Sequence, residues 1–486
     1  MIPLHKRLLA FASVPLLSMT LVGCPVNPAT GERQLILMSE SQEIKMGRQV
    51  SEQVEATMGL YDDSDLQEYV SEIGMDLAAH SEKPDLPWSF KVVDDDLVNA
   101  FALPGGFIFV TRGILGYFNS EAELAAVLGH EIGHVTARHS AEQLSRAQVA
   151  QLGLVAGAVF VPEFTPYADL AGQSLGLLFL KFGRDDESQS DELGFRYMRR
   201  AGYDPTEMVD VFDMLDRVTQ ASGGRSLPTW LSTHPAPADR REKMEQALAE
   251  AGGSFDGVVG RERYMEMIDG LVFGENARQG FFRGALFLHP ELAFQMEFPA
   301  GWQTQNTNQA VFALSPDKDA VIQLSLGQGA SIDSAAQSFL GQSGITPGST
   351  QRDPVNGLPA VWASFAATTS NGAEIRGLVV FLAYNDLIYQ TLGYTTPGKR
   401  SGYDAAFRRT FNSFDRLTDP AALSVQPARI EVVRLDRAMT LEQFAERYPS
   451  SVPIATLELI NGVESGATIP AGESVKRVVG GPPPED

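Results

Sequence analysis

One short run constrains this chain of 486 residues more than anything else in it: Leu128-Gly129-His130-Glu131-Ile132-Gly133-His134. His130 and His134 are four apart, so on an α-helix they stand about 40° and one turn from each other, and both imidazoles face one point. Glu131 lies about 60° from the direction of His134. It reaches a water at that point without itself becoming a ligand. Neutral imidazoles suit Zn2+, and His-Glu-x-x-His on a helix is the spacing of a zinc site with a glutamate base. The run therefore has to be helical. Ser120 and Glu123 carry the spacing of a capping box, which predicts a helix through Ala122 to His139. On such a continuous helix His139 falls about 140° from His134, off the metal face, and reads as a packed or surface histidine.

A metal that works on a substrate needs a third protein ligand and an open position. The next helix is predicted from about Asp185 to Ala201, stopped by Gly202. Glu187 and Asp191 are four apart on one of its faces. One carboxylate can ligate, while the other holds the second N–H of a ligand imidazole and fixes its tautomer. Spacing alone leaves Glu187, Asp191 and Glu192 as candidates.

The net charge of -23 argues against nucleic acid as a partner, and 44% apolar with 20% charged residues fits a folded, non-spanning chain. Residues 1–23 read as a secretory leader, with His5, Lys6 and Arg7 ahead of an apolar stretch Leu8 to Leu21. Leu21-Val22-Gly23-Cys24 resembles a bacterial lipobox, which implies that Cys24 is lipidated and anchors the chain to a membrane from the periplasmic side. Pro25 in place of an aspartate favours the outer membrane. Residues 24–40 form a tether. Beyond the metal helix come two apolar stretches, Val149–Val161 and Leu170–Phe182, each shorter than a membrane span and expected to form a helical hairpin.

Length alone suggests about three domains. Residues 41–275 carry the helices and the metal motif. Residues 280–418 turn β-rich, with helices expected at Ile332–Leu340 and Tyr403–Phe414. Residues 428–480 form a last small unit, and the tail after Gly480 has no structural signal. The fold class is α+β multidomain.

From roughly Asn27 to Ala247 the sequence resembles the HtpX/BepA-type family of gluzincin metallopeptidases, related to Ste-type CAAX proteases. The resemblance is carried by Asn99-Ala100-Phe101-Ala102-Leu103-Pro104-Gly105-Gly106, by the metal helix and by Arg184-Asp185-Asp186-Glu187-Ser188-Gln189-Ser190-Asp191. Ala201-Gly202-Tyr203-Asp204-Pro205 and Ser232-Thr233-His234-Pro235 continue it. It implies a mostly helical zincin domain with one Zn2+ on His130, His134 and Glu187. Asp191 then takes the supporting role behind the ligands, and Glu131 is the general base. Gln189 stands where many members have a second glutamate and is expected to leave metal binding unaffected. The family's histidine before proline falls on His234, which either fills the open position and holds the enzyme inactive or stabilises the oxyanion. Arg240 matches an arginine that orients substrate or structures that loop. An extended substrate is expected to pair with the strand from Gly106, through Phe107, Ile108 and Phe109.

Phe294 to Arg416 weakly resembles PsbP-like α/β modules. The last unit resembles a LysM module of βααβ order, departing from it at Ala438-Met439, so peptidoglycan binding and a purely structural role both stay open. The expected function is a zinc metalloendopeptidase of the bacterial cell envelope acting on unfolded or misassembled envelope proteins. The alternative is a chaperone-like or peptidoglycan-associated lipoprotein with latent protease activity.

Overall fold

The computed structural model describes residues 26–27, 29–31, 33–151, 181–221, 230, 233–234, 240–252, 255–368 and 373–481. The leader, Cys24, most of both apolar stretches and the tail beyond residue 481 lie outside the described residues.

Two helices, α1 (Glu40–Met58) and α2 (Ser64–Ala79), precede a three-stranded sheet. Its strands are β1 (Ser89–Val93), β2 (Ala100–Leu103) and β3 (Phe107–Thr111). Their order is β1-β3-β2, with β1 parallel and β2 antiparallel to β3. This corrects the expected substrate strand. Phe107, Ile108 and Phe109 lie on β3, which is paired on both sides, and Gly106 turns into it at φ 103°. Neither side of β3 has free backbone groups for an added chain. The sheet's edges are β1 and β2, and β2 is the edge strand beside the metal helix, without a strand partner on its outer side among the described residues. Asn99 and Thr111 are a hydrogen-bonded pair, so antiparallel alternation turns the backbone groups of Val98, Ala100 and Ala102 outward.

After a short turn of helix, α3 (Arg112–Leu115), comes the metal helix α4 (Glu121–Thr136). Every residue of α4 is buried, Glu121, Glu123, His130, Glu131 and His134 included. Ser120 caps it by accepting the N–H of Glu123. The reciprocal half of the box is shifted: Glu123 Oε2 takes the N–H of Asn119 rather than that of Ser120. The helix also ends earlier than predicted. Arg138 sits at φ 59°, a left-handed break, and α5 (His139–Gln151) starts afresh at His139. That break invalidates the angle expected for His139 on a continuous helix.

The carboxylate helix α6 (Arg184–Ala201) ends on Gly202 in the left-handed conformation. It packs closely on α4 because both contacting faces are small. A Cβ on Gly129 would meet Gly194 Cα at 3.2 Å, and one on Gly133 would meet Ser190 at 3.0 Å. This near-backbone approach is what brings Glu187 and Asp191 to the histidines. Helices α7 (Glu207–Ala221), α8 (Arg240–Glu250) and α9 (Arg261–Ile268) complete this region. A large cluster including Val70, Leu124, Leu128, Tyr197 and Tyr264 forms most of its core, and a smaller one around Val54, Phe101 and Phe109 packs α1 on the sheet.

Residues 281–416 form a second core around a seven-stranded antiparallel sheet and a four-stranded one. The helix Ile332–Leu340 covers one face of the larger sheet through Phe339, and Arg400–Asn412 covers the other through Phe407 and Phe411. Further on, strands Arg429–Arg434 and Ser474–Val479 pair antiparallel, with helices Leu441–Arg447 and Ile454–Asn461 between them. This last unit is docked on the first: Leu457 and Ile460 pack with Tyr117 and Phe273. Lys476, fully buried, donates to the carbonyls of Gly116 (3.0 Å) and Phe118 (2.8 Å). Among the described residues no helix is long and apolar enough to cross a membrane.

Candidate metal centre

Two turns of α4 and the first turn of α6 present their side chains to one buried point. His130 Nε2 and His134 Nε2 are 3.0 Å apart. Glu187 Oε1 lies 3.5 Å from His134 Nε2, and Glu187 Oε2 lies 3.6 Å from His130 Nε2. His234 reaches the same point through Nδ1, 3.0 Å from Glu187 Oε1 and 3.3 Å from His130 Nε2. One donor atom from each of these four buried residues lies within 4.8 Å of the other three. Nitrogen and oxygen donors in this number suit Zn2+. Glu187 Oε2 is buried without a hydrogen bond, and its ion-pair partner is Arg240 Nη1 at 3.0 Å.

The surrounding hydrogen bonds turn the right nitrogens inward. Asp191 Oδ1 lies 2.9 Å from His130 Nδ1, so Nδ1 carries the proton and Nε2 is left as the donor to a metal. Arg240 grips Asp191 with both arms of its guanidinium, at 2.7 and 2.6 Å. Burial alone would raise Asp191; Arg240 and the His130 contact outweigh it and hold the carboxyl at about 2. Burial likewise opposes ionised Glu187, but His234, His130 and Arg240 hold it below the usual carboxylate range. His134 is pushed well below the ordinary imidazole value by burial and by its cationic neighbours, which keeps it in the neutral, ligating form.

His134 has a second partner that the sequence did not disclose. Its Nδ1 lies 2.9 Å from His139 Nδ1, and His139 Nε2 lies 3.1 Å from Gln189 Oε1. An amide oxygen can only accept, so His139 donates from Nε2 and accepts from His134 through Nδ1. The chain Gln189–His139–His134 thus frees His134 Nε2 for a metal, as Asp191 does for His130. His139 is indeed buried and outside the four-residue cluster, but the break at Arg138 places it directly behind a ligand. Gln189, expected to be a bystander, ends that chain.

Glu131 is fully buried beside the cluster, and burial raises its carboxyl above the ordinary range against the pull of His234 and His130. Its Oε1 accepts the indole N–H of Trp230 at 3.3 Å, while Oε2 has no partner. The structure therefore brings His130, Glu131, His134, Glu187, Asp191, His234 and Arg240 together. Glu192 points to solvent. Sequence reasoning missed Trp230 and also Phe182, whose ring stacks on His134 with centroids 4.0 Å apart. The one available signal was the position of Trp230 four residues ahead of His234.

A buried donor set of two histidines and a glutamate, with an uncommitted carboxylate beside it, is the equipment of a metallopeptidase. Residues 64–248 match the model of peptidase family M48. The chain is similar to the beta-barrel assembly-enhancing protease of Escherichia coli K12, 31% identical over 223 residues, which are 43% of this chain and 45% of the relative. It is also similar to the mitochondrial metalloendopeptidase OMA1 of Arabidopsis thaliana, 37% identical over 173 residues, covering 35% of this chain and 33% of the relative. The OMA1 of Schizosaccharomyces pombe is 37% identical over 189 residues, covering 38% and 53%. The chain thus spans about half the length, or less, of these curated relatives. The solution structure of cyanobacterial PsbP from Synechocystis covers 28% of the chain at 11% identity with a TM-score of 0.23, too weak a likeness to assign the second core.

Proposed function

We propose that the chain is a zinc-dependent metalloendopeptidase in which His130, His134 and Glu187 hold the ion and Glu131 is the general base. The observation that carries this reading is Glu131 Oε2, a buried carboxylate oxygen without a partner beside the donor cluster. Bound zinc would supply Lewis acidity to the scissile carbonyl and the attacking water. Glu131 takes the water proton and returns it to the leaving amine. Its raised carboxyl favours the first of these transfers, because a carboxylate that is harder to ionise is the stronger base toward the water proton. Asp191, Arg240 and the His139–Gln189 pair hold the ligand side chains in place.

His234 Nδ1 lies among the donors rather than beside them, which supports the reading that it fills the fourth position in a resting state. His234→Ala should then keep zinc and raise basal cleavage; a fall in turnover with zinc intact would favour the oxyanion role. The outer edge of β2, without a strand partner among the described residues, is where an extended substrate would have backbone partners. We assign the substrates to unfolded or misassembled envelope proteins, on the leader-like N-terminus ending at Cys24 and on the likeness to a protease that enhances beta-barrel assembly. Lipid on Cys24 would hold the enzyme at the periplasmic side of the outer membrane; the last unit would be structural or bind peptidoglycan. Zinc-loaded protein incubated with unfolded outer-membrane proteins, beside Glu131→Gln, tests the activity. Equal cleavage by both would overturn it.

A further inference from the structure

Trp230 is held from every side. It is 1% exposed. Its ring stacks on His234 with centroids 4.8 Å apart and planes at 20°, and tilts against His130 at 5.4 Å. The Arg240 guanidinium carbon stands 5.2 Å from its centroid. Its backbone N–H reaches the outward carbonyl of Val98, just ahead of β2, at 3.3 Å. A ring so fixed has one polar atom, and that atom donates to Glu131 Oε1 at 3.3 Å.

A carboxylate on three rotatable bonds is a loosely aimed base. Fixing one of its oxygens removes the freedom to turn, and the other oxygen then keeps a single direction. Glu131 shows this division: Oε1 is engaged by the indole, and Oε2 is buried and unengaged. We infer that Trp230 is a positioning residue for the general base: its indole N–H pins Oε1 of Glu131 and so selects Oε2 as the oxygen that accepts the proton of the attacking water. The inference rests on the metallopeptidase reading for its catalytic consequence, but not for the hydrogen bond itself.

A buried indole N–H generally finds some partner, so the test has to separate aiming from packing. The chain has four tryptophans, and indole-15N labelling of the zinc-loaded protein gives one side-chain resonance for each. Trp230→Phe identifies the Trp230 signal by its disappearance. Glu131→Gln should shift that signal and leave the other three in place. A Trp230 signal indifferent to Glu131→Gln would overturn the hydrogen bond whether or not the chain cleaves peptides. The kinetic arm replaces Trp230 by benzothienylalanine, which keeps the two-ring shape and puts sulfur where the N–H was. Zinc content and KM should be unchanged, and kcat should fall about 10–100-fold, the range expected when a charged group loses a hydrogen bond. Wild-type kcat in that variant, or loss of its zinc, would show that the ring only fills space. Absence of cleavage by the wild type would overturn the peptidase reading and the catalytic role together, while the resonance still decides the bond.

Discussion

The two ends of α4 each carry buried charge, and they handle it in opposite ways. At the N-terminal end Lys476 comes in from the last unit and gives its ammonium to the carbonyls of Gly116 and Phe118, with Glu123 nearby. Burial pushes Glu123 up and pulls Lys476 down, each to about 7. Glu123 Oε2 is occupied by the Asn119 N–H. At the C-terminal end, Glu131 Oε2 and Glu187 Oε2 have no hydrogen bond at all, although Arg240 Nη1 stands 3.0 Å from the latter. Buried polar atoms are almost always satisfied. The N-terminal end ties the last unit to the first through Lys476; the C-terminal end holds Glu131 Oε2 without a partner beside a cluster of four donors.

The largest effects should come from the unsatisfied end. Glu131→Gln should lower peptide cleavage ~10²–10⁴-fold with zinc content unchanged by metal analysis; retained cleavage would remove the base from Glu131. Glu187→Ala should lose most of its zinc on dialysis against a weak chelator. Full zinc retention would move the third ligand elsewhere and blur the contrast between the two ends.

The satisfied end should answer in stability instead. Lys476→Met leaves two buried carbonyls without their donor, at a cost of about 1–3 kcal/mol for each. Urea unfolding should show that loss while zinc stoichiometry holds. A parallel drop in zinc affinity would mean that the two ends are coupled along the helix.

A smaller effect sharpens the contrast within the site. His139→Ala removes the partner that fixes the His134 tautomer, and supporting partners of this kind are worth about 10–100-fold in metal affinity. A chelator competition titration measures it; unchanged affinity would return His139 to the role of packing. Gln189→Leu, which removes only the acceptor behind His139, should move affinity in the same direction by less.

A last effect is distant from α4, confined to acid pH, and serves as a reference. Burial holds His289 at about 4, below the ordinary 6.5 or so of an unfolded chain. Between these values the unfolded state takes a proton that the folded state refuses. Stability present above pH 6.5 is therefore lost as the pH falls through 4. His289→Gln should flatten that slope in urea unfolding at a series of pH values, with zinc binding at neutral pH untouched. A slope equal to wild type would show that His289 is not the group responsible.

What the sequence disclosed follows from where the physics is periodic. His130, Glu131 and His134 were legible because one helix sets their directions, and Glu187 with Asp191 because a second helix repeats the spacing. His139 was misplaced because the angle was carried across Arg138, whose left-handed backbone no periodicity announces. The order β1-β3-β2 was not legible, since strands of similar composition do not say which of them is interior. Trp230 meets Glu131 across 99 residues of sequence, in a stretch without a repeating pattern. Lys476 left little trace, standing beside Arg477 between Val475 and Val478, and nothing named the carbonyls it would reach.

The joint at Lys476 also has a bearing on how the molecule comes into being. Its lysine is 360 residues downstream of Gly116, so during synthesis the turn ahead of the metal helix is complete long before its cation exists. Until then two carbonyls that end up sealed from water must stay solvated. The loop in front of α4 therefore remains wet and the core beneath it stays open at that corner. Closure is a late, long-range event of the kind that slows folding and exposes half-made cores to aggregation. The metal ligands can assemble in the nascent chain, but the helix that carries them is anchored at its other end only after the second core and the last unit have been made.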